Sequence, residues 1–264
     1  MPTIESRDGT RIGYEVSGDG PALVLVNGAL TTKTSGSQAG LAKALAPYFT
    51  VFGYDRRGRA DSGDTLPYAV EREIEDIDAL IDQAGGSAFV YGHSSGACLV
   101  LEAALSLGSK VAKIALYEAP YNDDPAVAQP WSTYLNQLAA ALREDRHGDA
   151  VALFMSYVGV PAARIEEMRQ APYWPGMEAL APTLAYDHAG IIGKSQAVPA
   201  ERIAAVSAPA LVMCGAASQP FMCVTARTIS QTVPGATLKT LVGQSHEVEP
   251  AALAPVLIAF FTAI

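Results

Sequence analysis

Phe89-Val90-Tyr91-Gly92-His93-Ser94-Ser95-Gly96-Ala97 reads as an apolar strand, a glycine-bounded turn and the first turn of a helix. A serine on such a turn projects its hydroxyl past the strand end, and the flanking glycines let strand and helix close around it. The helix start adds unpaired N–H groups that favour negative charge developing nearby. The spacing Gly92-x-Ser94-x-Gly96 is a weak signal by itself, and a structural Gly/Ser turn is the competing reading. Its place between a buried strand and the apolar helical run Ala97–Leu107 makes Ser94 the expected nucleophile.

Working outward, short β-rich runs alternate with helical ones. Thr3–Arg7 and Arg11–Val16, joined by Asp8-Gly9, read as a hairpin. Ala22–Val26, Thr50–Tyr54, Ala88–Tyr91, Lys113–Tyr117, Ala210–Cys214 and Thr237–Leu241 are apolar runs suited to buried parallel strands. Helical patterns fall at Ala39–Ala46, Val70–Gln83, Val224–Thr232 and Pro250–Thr262. This predicts an α/β protein with an eight-stranded, mostly parallel sheet and helices on both faces. Residues 121–199 carry no strand signal and are too long for a loop. Helical patterns at Trp131–Glu144, Asp149–Tyr157 and Pro161–Gln170 make this interval a helical cap domain, inserted into a core formed by 1–120 and 200–264.

Half of the 264 residues are hydrophobic and 17% are charged, as in globular proteins. A formal net charge of −9 disfavours nucleic acid and anionic membrane surfaces as partners. The sequence has no apolar stretch of bilayer length and no basic start followed by an apolar run. The expectation is a cytoplasmic monomer or homodimer acting on a small-molecule substrate, with Cys98, Cys214 and Cys223 as free thiols.

Four ordered motifs resemble the α/β-hydrolase superfamily with a helical cap. Asn27-Gly28-Ala29 stands where the family usually has His-Gly-x. Asp55-Arg56-Arg57-Gly58-Arg59-Ala60-Asp61-Ser62 resembles D-x-R-G-x-G-x-S with Ala60 replacing a glycine. The serine turn comes third, and Gly243-Gln244-Ser245-His246 follows the last strand. In this fold the acid and then the histidine follow the serine in the chain. His246 alone satisfies the last place. His93 lies in the turn itself, His147 in a charged run, and His188 in the inserted segment.

The usual acid position, after the seventh strand, reads Cys214-Gly215-Ala216-Ala217-Ser218-Gln219-Pro220-Phe221. No carboxylate occurs from Arg202 through His246. Glu118, ending the sixth strand before Ala119-Pro120, is a costly place for an unpaired charge. Its position resembles that of the glutamate in some haloalkane dehalogenases and zearalenone lactone hydrolases. The resemblance therefore implies a Ser94-His246-Glu118 triad; the competing roles for Glu118 are a cap of the helical segment or an arginine partner. Serine rather than aspartate as nucleophile argues against dehalogenation.

The resemblance further implies an oxyanion hole from the N–H groups of Ala29 and Ser95. Trp131, Tyr157, Tyr173, Trp174, Phe221 and Met222 are the expected pocket residues, with Pro172–Gly176 as a wall or lid. The implied reaction is hydrolysis of a carboxylic ester or lactone of a small apolar substrate, without metal or organic cofactor. The alternatives are a thioesterase, a perhydrolase, a C–C bond hydrolase, or a binding protein on the same scaffold.

Overall fold

The computed structural model describes residues 2–263. Eight strands form one sheet: β1 (Thr3–Glu5), β2 (Arg11–Ser17), β3 (Ala22–Val26), β4 (Thr50–Tyr54), β5 (Ala88–His93), β6 (Val111–Tyr117), β7 (Ala210–Gly215) and β8 (Thr237–Leu241). Their spatial order is β1-β2-β4-β3-β5-β6-β7-β8. β1 and β2 pair antiparallel with Ile4 opposite Ile12, and β2 pairs antiparallel with β4. Every later pairing is parallel.

The parallel strands β3 to β7 are largely apolar because both faces are covered. β8, expected to be buried like them, is instead an edge strand in which only Leu241 is buried. Leu23 and Leu25 of β3, with Leu211 and Met213 of β7, face a layer containing α1 (Gly36–Leu45) and α10 (Pro250–Thr262). The alternate residues Val24, Val26 and Val212 face the other layer. That layer includes α2 (Val70–Gln83), α3 (Ser95–Leu107) and α9 (Pro220–Thr232). On α2 the apolar stripe Ile74, Ile77, Leu80 and Ile81 is buried, as its spacing predicts. Glu73 and Asp76 are buried beside it, which only paired carboxylates tolerate. Their partners are Arg56 and Arg57.

Between β6 and β7 the chain is helical, with α4 (Ala128–Arg143), α5 (His147–Tyr157), α6 (Ala162–Arg169), α7 (Trp174–Leu180) and α8 (Ala200–Ile203). A wide π-helical turn, Tyr186–Ile192, lies between α7 and α8. The sequence pattern signals α4 to α6, whereas α7 begins inside Pro172–Gly176, the stretch expected to form a wall or lid. Pro175 near the first turn of α7 is compatible with a helix start, where its missing N–H costs nothing.

Two cysteines depart from the free-thiol expectation. α9 turns back immediately after β7, bringing the Cα of Cys223 to 5.3 Å from that of Cys214, and the two form a disulfide. Cys98 is free and buried. Among the described residues no helix is long and apolar enough to cross a membrane.

Candidate active site

The carboxyl ends of β3, β5, β6 and β7 converge on a cavity of about 460 Å³, the edge of a parallel sheet where ligands bind. Ser94, His246, Glu118, Ala29 and Ser95 all line it. Ser94 has φ of 56° and ψ of −128°, a conformation that residues with a Cβ rarely adopt. α3 starts at the next residue. Gly96 is obligatory for this approach, since a Cβ there would fall 2.3 Å from the Val26 carbonyl oxygen. Gly28 is packed on the serine less tightly, and its missing Cβ would lie 2.9 Å from Ser94 Cβ.

His246 Nδ1 lies 2.7 Å from Glu118 Oε2. The other carboxylate oxygen, Oε1, accepts the Gly215 N–H at 2.7 Å. Glu118 is fully desolvated, which by itself raises its carboxyl pKa, but hydrogen bonding led by His246 outweighs burial and holds it below the ordinary value. An ionised carboxylate only accepts, so Nδ1 of His246 donates to it, and Nε2 is the ring nitrogen left to exchange a proton. The loop bearing His246 is held from two sides. Tyr117 Oη donates to the Ser245 carbonyl at 2.6 Å, and His93 Nε2 lies 2.9 Å from the His246 carbonyl. Desolvation, then His246, push His93 down to about 3; its neutral ring donates Nε2–H to that carbonyl.

The structure separates the six expected pocket residues into two groups. Trp131, Tyr157 and Met222 line the cavity, together with Phe154, Met155 and Met177. Tyr173, Trp174 and Phe221 do not border it, which corrects the sequence reading. Tyr173 is half exposed. Trp174 is buried in the core of the helical segment rather than at the cavity, donating Nε1–H to Glu178 of its own helix with Arg169 of α6 over its ring. Phe221 lies half-buried on the first turn of α9, and Met222 takes the cavity position. Periodicity identifies a buried helical face but not which neighbour covers it.

His188 also lines the cavity and is 5% exposed. Its Nδ1 lies 2.8 Å from Tyr134 Oη, and burial lowers its pKa to about 4. Sequence reasoning gave it no role. Nor did it find Asp187, which is completely buried against Arg56 and Arg59 at 2.6 and 2.8 Å. Their available signal was a lone Asp-His pair in an otherwise apolar stretch, plus two arginines in excess of the motif's one.

The Asp55 segment follows the expected motif. Asp55 accepts from Lys33 N and Nζ, while Ser62 Oγ donates to the Asp55 carbonyl. Ala60, standing at the motif's glycine, has φ of 42°, which explains why glycine is favoured there.

A sequence model described as the alpha/beta hydrolase family matches residues 23–256. An alpha/beta hydrolase from Sphaerobacter thermophilus DSM 20745 is 52% identical, with 99% of this chain and 100% of that chain covered and a TM-score of 0.87. The enol-lactonase from Burkholderia xenovorans LB400 shares the fold at 23% identity and TM-score 0.68, covering 99% of this chain and 100% of its own. The hydrolase YraK of Bacillus subtilis strain 168 is 35% identical over 102 residues. That match spans 36% of this chain and about a third (35%) of the relative.

Proposed function

Since the chain belongs to the alpha/beta hydrolase family, we propose that it is a serine hydrolase cleaving uncharged, apolar carboxylic esters or lactones through an acyl-enzyme. The observation that carries this reading is the 2.7 Å contact between His246 Nδ1 and Glu118, in the cavity that Ser94 also lines.

In the proposed reaction His246 Nε2 takes the Ser94 proton as Oγ attacks the carbonyl carbon, forming a tetrahedral oxyanion. The N–H groups of Ser95 and Ala29 receive that charge. His246 returns its proton to the leaving alkoxide, then removes one from the water that attacks the acyl-enzyme. A second tetrahedral collapse releases the acid and regenerates Ser94. Glu118 keeps His246 in the productive tautomer and stabilises the imidazolium formed in each half-reaction.

The lining supports the substrate class. Among the described residues, its ionisable side chains apart from His93, His188 and His246 are Tyr157, Glu118 and Glu247, with no lysine or arginine to neutralise a substrate anion. Residues 121–199 serve in this reading as the cap that supplies Trp131, Phe154, Met155 and Tyr157.

The test is a panel of p-nitrophenyl esters and lactones, with a fluorophosphonate probe for Ser94. Turnover of neutral esters, lost in Ser94→Ala, and stoichiometric labelling are expected. Folded wild-type protein that neither labels nor hydrolyses any of the panel overturns the proposal in favour of a binding protein.

A further inference from the structure

We infer that Asp187 is a positioning residue for the oxyanion site, tying together the two segments whose N–H groups receive the charge of the reacting carbonyl. This rests on the reading of Ser94 as an acyl-transfer nucleophile. Asp187 belongs to the π-helical turn, 93 positions after Ser94, yet its carboxylate lies completely buried beneath the serine turn. Oδ1 accepts from Ser95 Oγ at 2.7 Å and from Arg56 Nη1 at 2.6 Å. Oδ2 accepts from Arg59 Nη2 at 2.8 Å.

The two arginines grip the other half of the site. Arg56 Nη1 donates to the Asn27 carbonyl at 3.1 Å, and Arg59 Nη1 donates to the Gly28 carbonyl. A trans peptide is planar, so its carbonyl and the following N–H point in opposite directions. Arg59 on the Gly28 oxygen therefore directs the Ala29 N–H away from itself, and Ala29 lines the cavity with Ser94. Through Ser95 Oγ the same carboxylate fixes the residue whose N–H is the other donor.

Arg56 has a carboxylate of its own, since Glu73 binds it through both oxygens at 2.6 and 2.7 Å. Arg59 pairs with Asp187 alone among the described residues. Buried ion pairs of this kind are commonly no more stabilising than apolar packing of the same volume. Stability alone therefore gives little reason for the Asp187–Arg59 pair, whereas orientation of two backbone donors does. Tyr186, one residue earlier, stacks on Tyr68 at 3.9 Å and helps seat the turn.

Asp187→Asn keeps the side-chain shape, and Arg59→Met removes the grip on Gly28 while leaving Asp187 on Ser95 and Arg56. With p-nitrophenyl butyrate, each should lower kcat by roughly tenfold to a hundredfold, below the loss from deleting an oxyanion donor outright. KM should stay within about threefold, because the lost interaction belongs to the transition state. Fluorophosphonate labelling of Ser94 should slow in parallel. The double variant should fall little further than the worse single one, as expected when both act through one contact. Ser95→Ala, which keeps the backbone N–H, should lose less than either and serves if the charge variants do not fold. Unchanged kcat and labelling in folded variants, or a rise in KM alone, overturns the role of Asp187 while leaving the hydrolase reading intact. A wild type that neither turns over ester nor labels overturns both.

Discussion

Glu118, at the end of β6, accepts the backbone N–H of Gly215, the last residue of β7, at 2.7 Å. One carboxylate oxygen thus occupies the neighbouring strand end while the other meets His246. The two strands are adjacent and parallel, with Tyr117 beside Met213, so a side chain leaving β6 sideways reaches the histidine that a β7 acid would otherwise serve. The loop after β7 can then be free of carboxylates.

Glu118→Gln should fold normally and lose kcat by about 10³ to 10⁴. The Gln oxygen can keep the Gly215 N–H, which turns its NH₂ toward His246 Nδ1. That reverses the tautomer and puts the proton on Nε2, where the base is needed. Ester turnover and thermal unfolding, measured together, check this; near-normal turnover would remove Glu118 from the triad.

His188 should make stability fall with acid. Its folded pKa is near 4 against an ordinary 6.5, so unfolding takes up a proton between those values. The contribution is complete above about pH 6.5 and is lost as pH falls toward 4, at a limit of about 1.4 kcal/mol per pH unit. His188→Gln, which retains an acceptor for Tyr134, should flatten that slope in urea titrations from pH 7 to 4. An identical slope in the variant would contradict the assignment.

Met222→Trp should narrow the cavity beneath α9. Activity on p-nitrophenyl octanoate should fall at least about tenfold relative to the acetate, because the larger side chain fills space needed by a long acyl group. A uniform loss across chain lengths would instead mean that the residue disturbs the loop after β7 rather than the acyl site.

Reduction of Cys214–Cys223, or Cys223→Ser, should lower stability by about 2–3 kcal/mol, the loop-closure effect for residues 9 apart. Urea midpoints with and without dithiothreitol measure this. The wild type should shift and the serine variant should not; equal wild-type midpoints would show that the bond contributes nothing.

The strands β3 to β7 were legible because each is an apolar run bounded by turn residues, β1 and β2 because Asp8-Gly9 joins them as a hairpin, and the serine turn because strand, glycines and helix are contiguous. Glu118 was legible because residues 202 to 246 hold no carboxylate and a glutamate ending an apolar strand resembles the acid placement of some haloalkane dehalogenases and lactone hydrolases. Asp187 was not, because its partners lie 92 to 131 positions away, and pairing across that distance leaves no local pattern. The disulfide was missed for a related reason. Compartment rules weigh cysteine number, whereas the bond depends on how sharply α9 turns back. Tyr173 and Trp174 misled because aromatic content marks burial without naming the neighbour, and Trp174 is satisfied within α7.

Ser94 and Glu118 both hold left-handed backbone, at φ of 56° and 50°, where a Cβ costs about 1–2 kcal/mol. Glycine would relieve that cost at either place and would end the proposed chemistry at both, but at 118 it would also leave the buried Gly215 N–H without its acceptor. Robustness and turnover therefore pull in opposite directions at Ser94 alone. Variants selected for heat resistance alone should drift toward glycine at position 94, yielding a hardier protein without the proposed nucleophile.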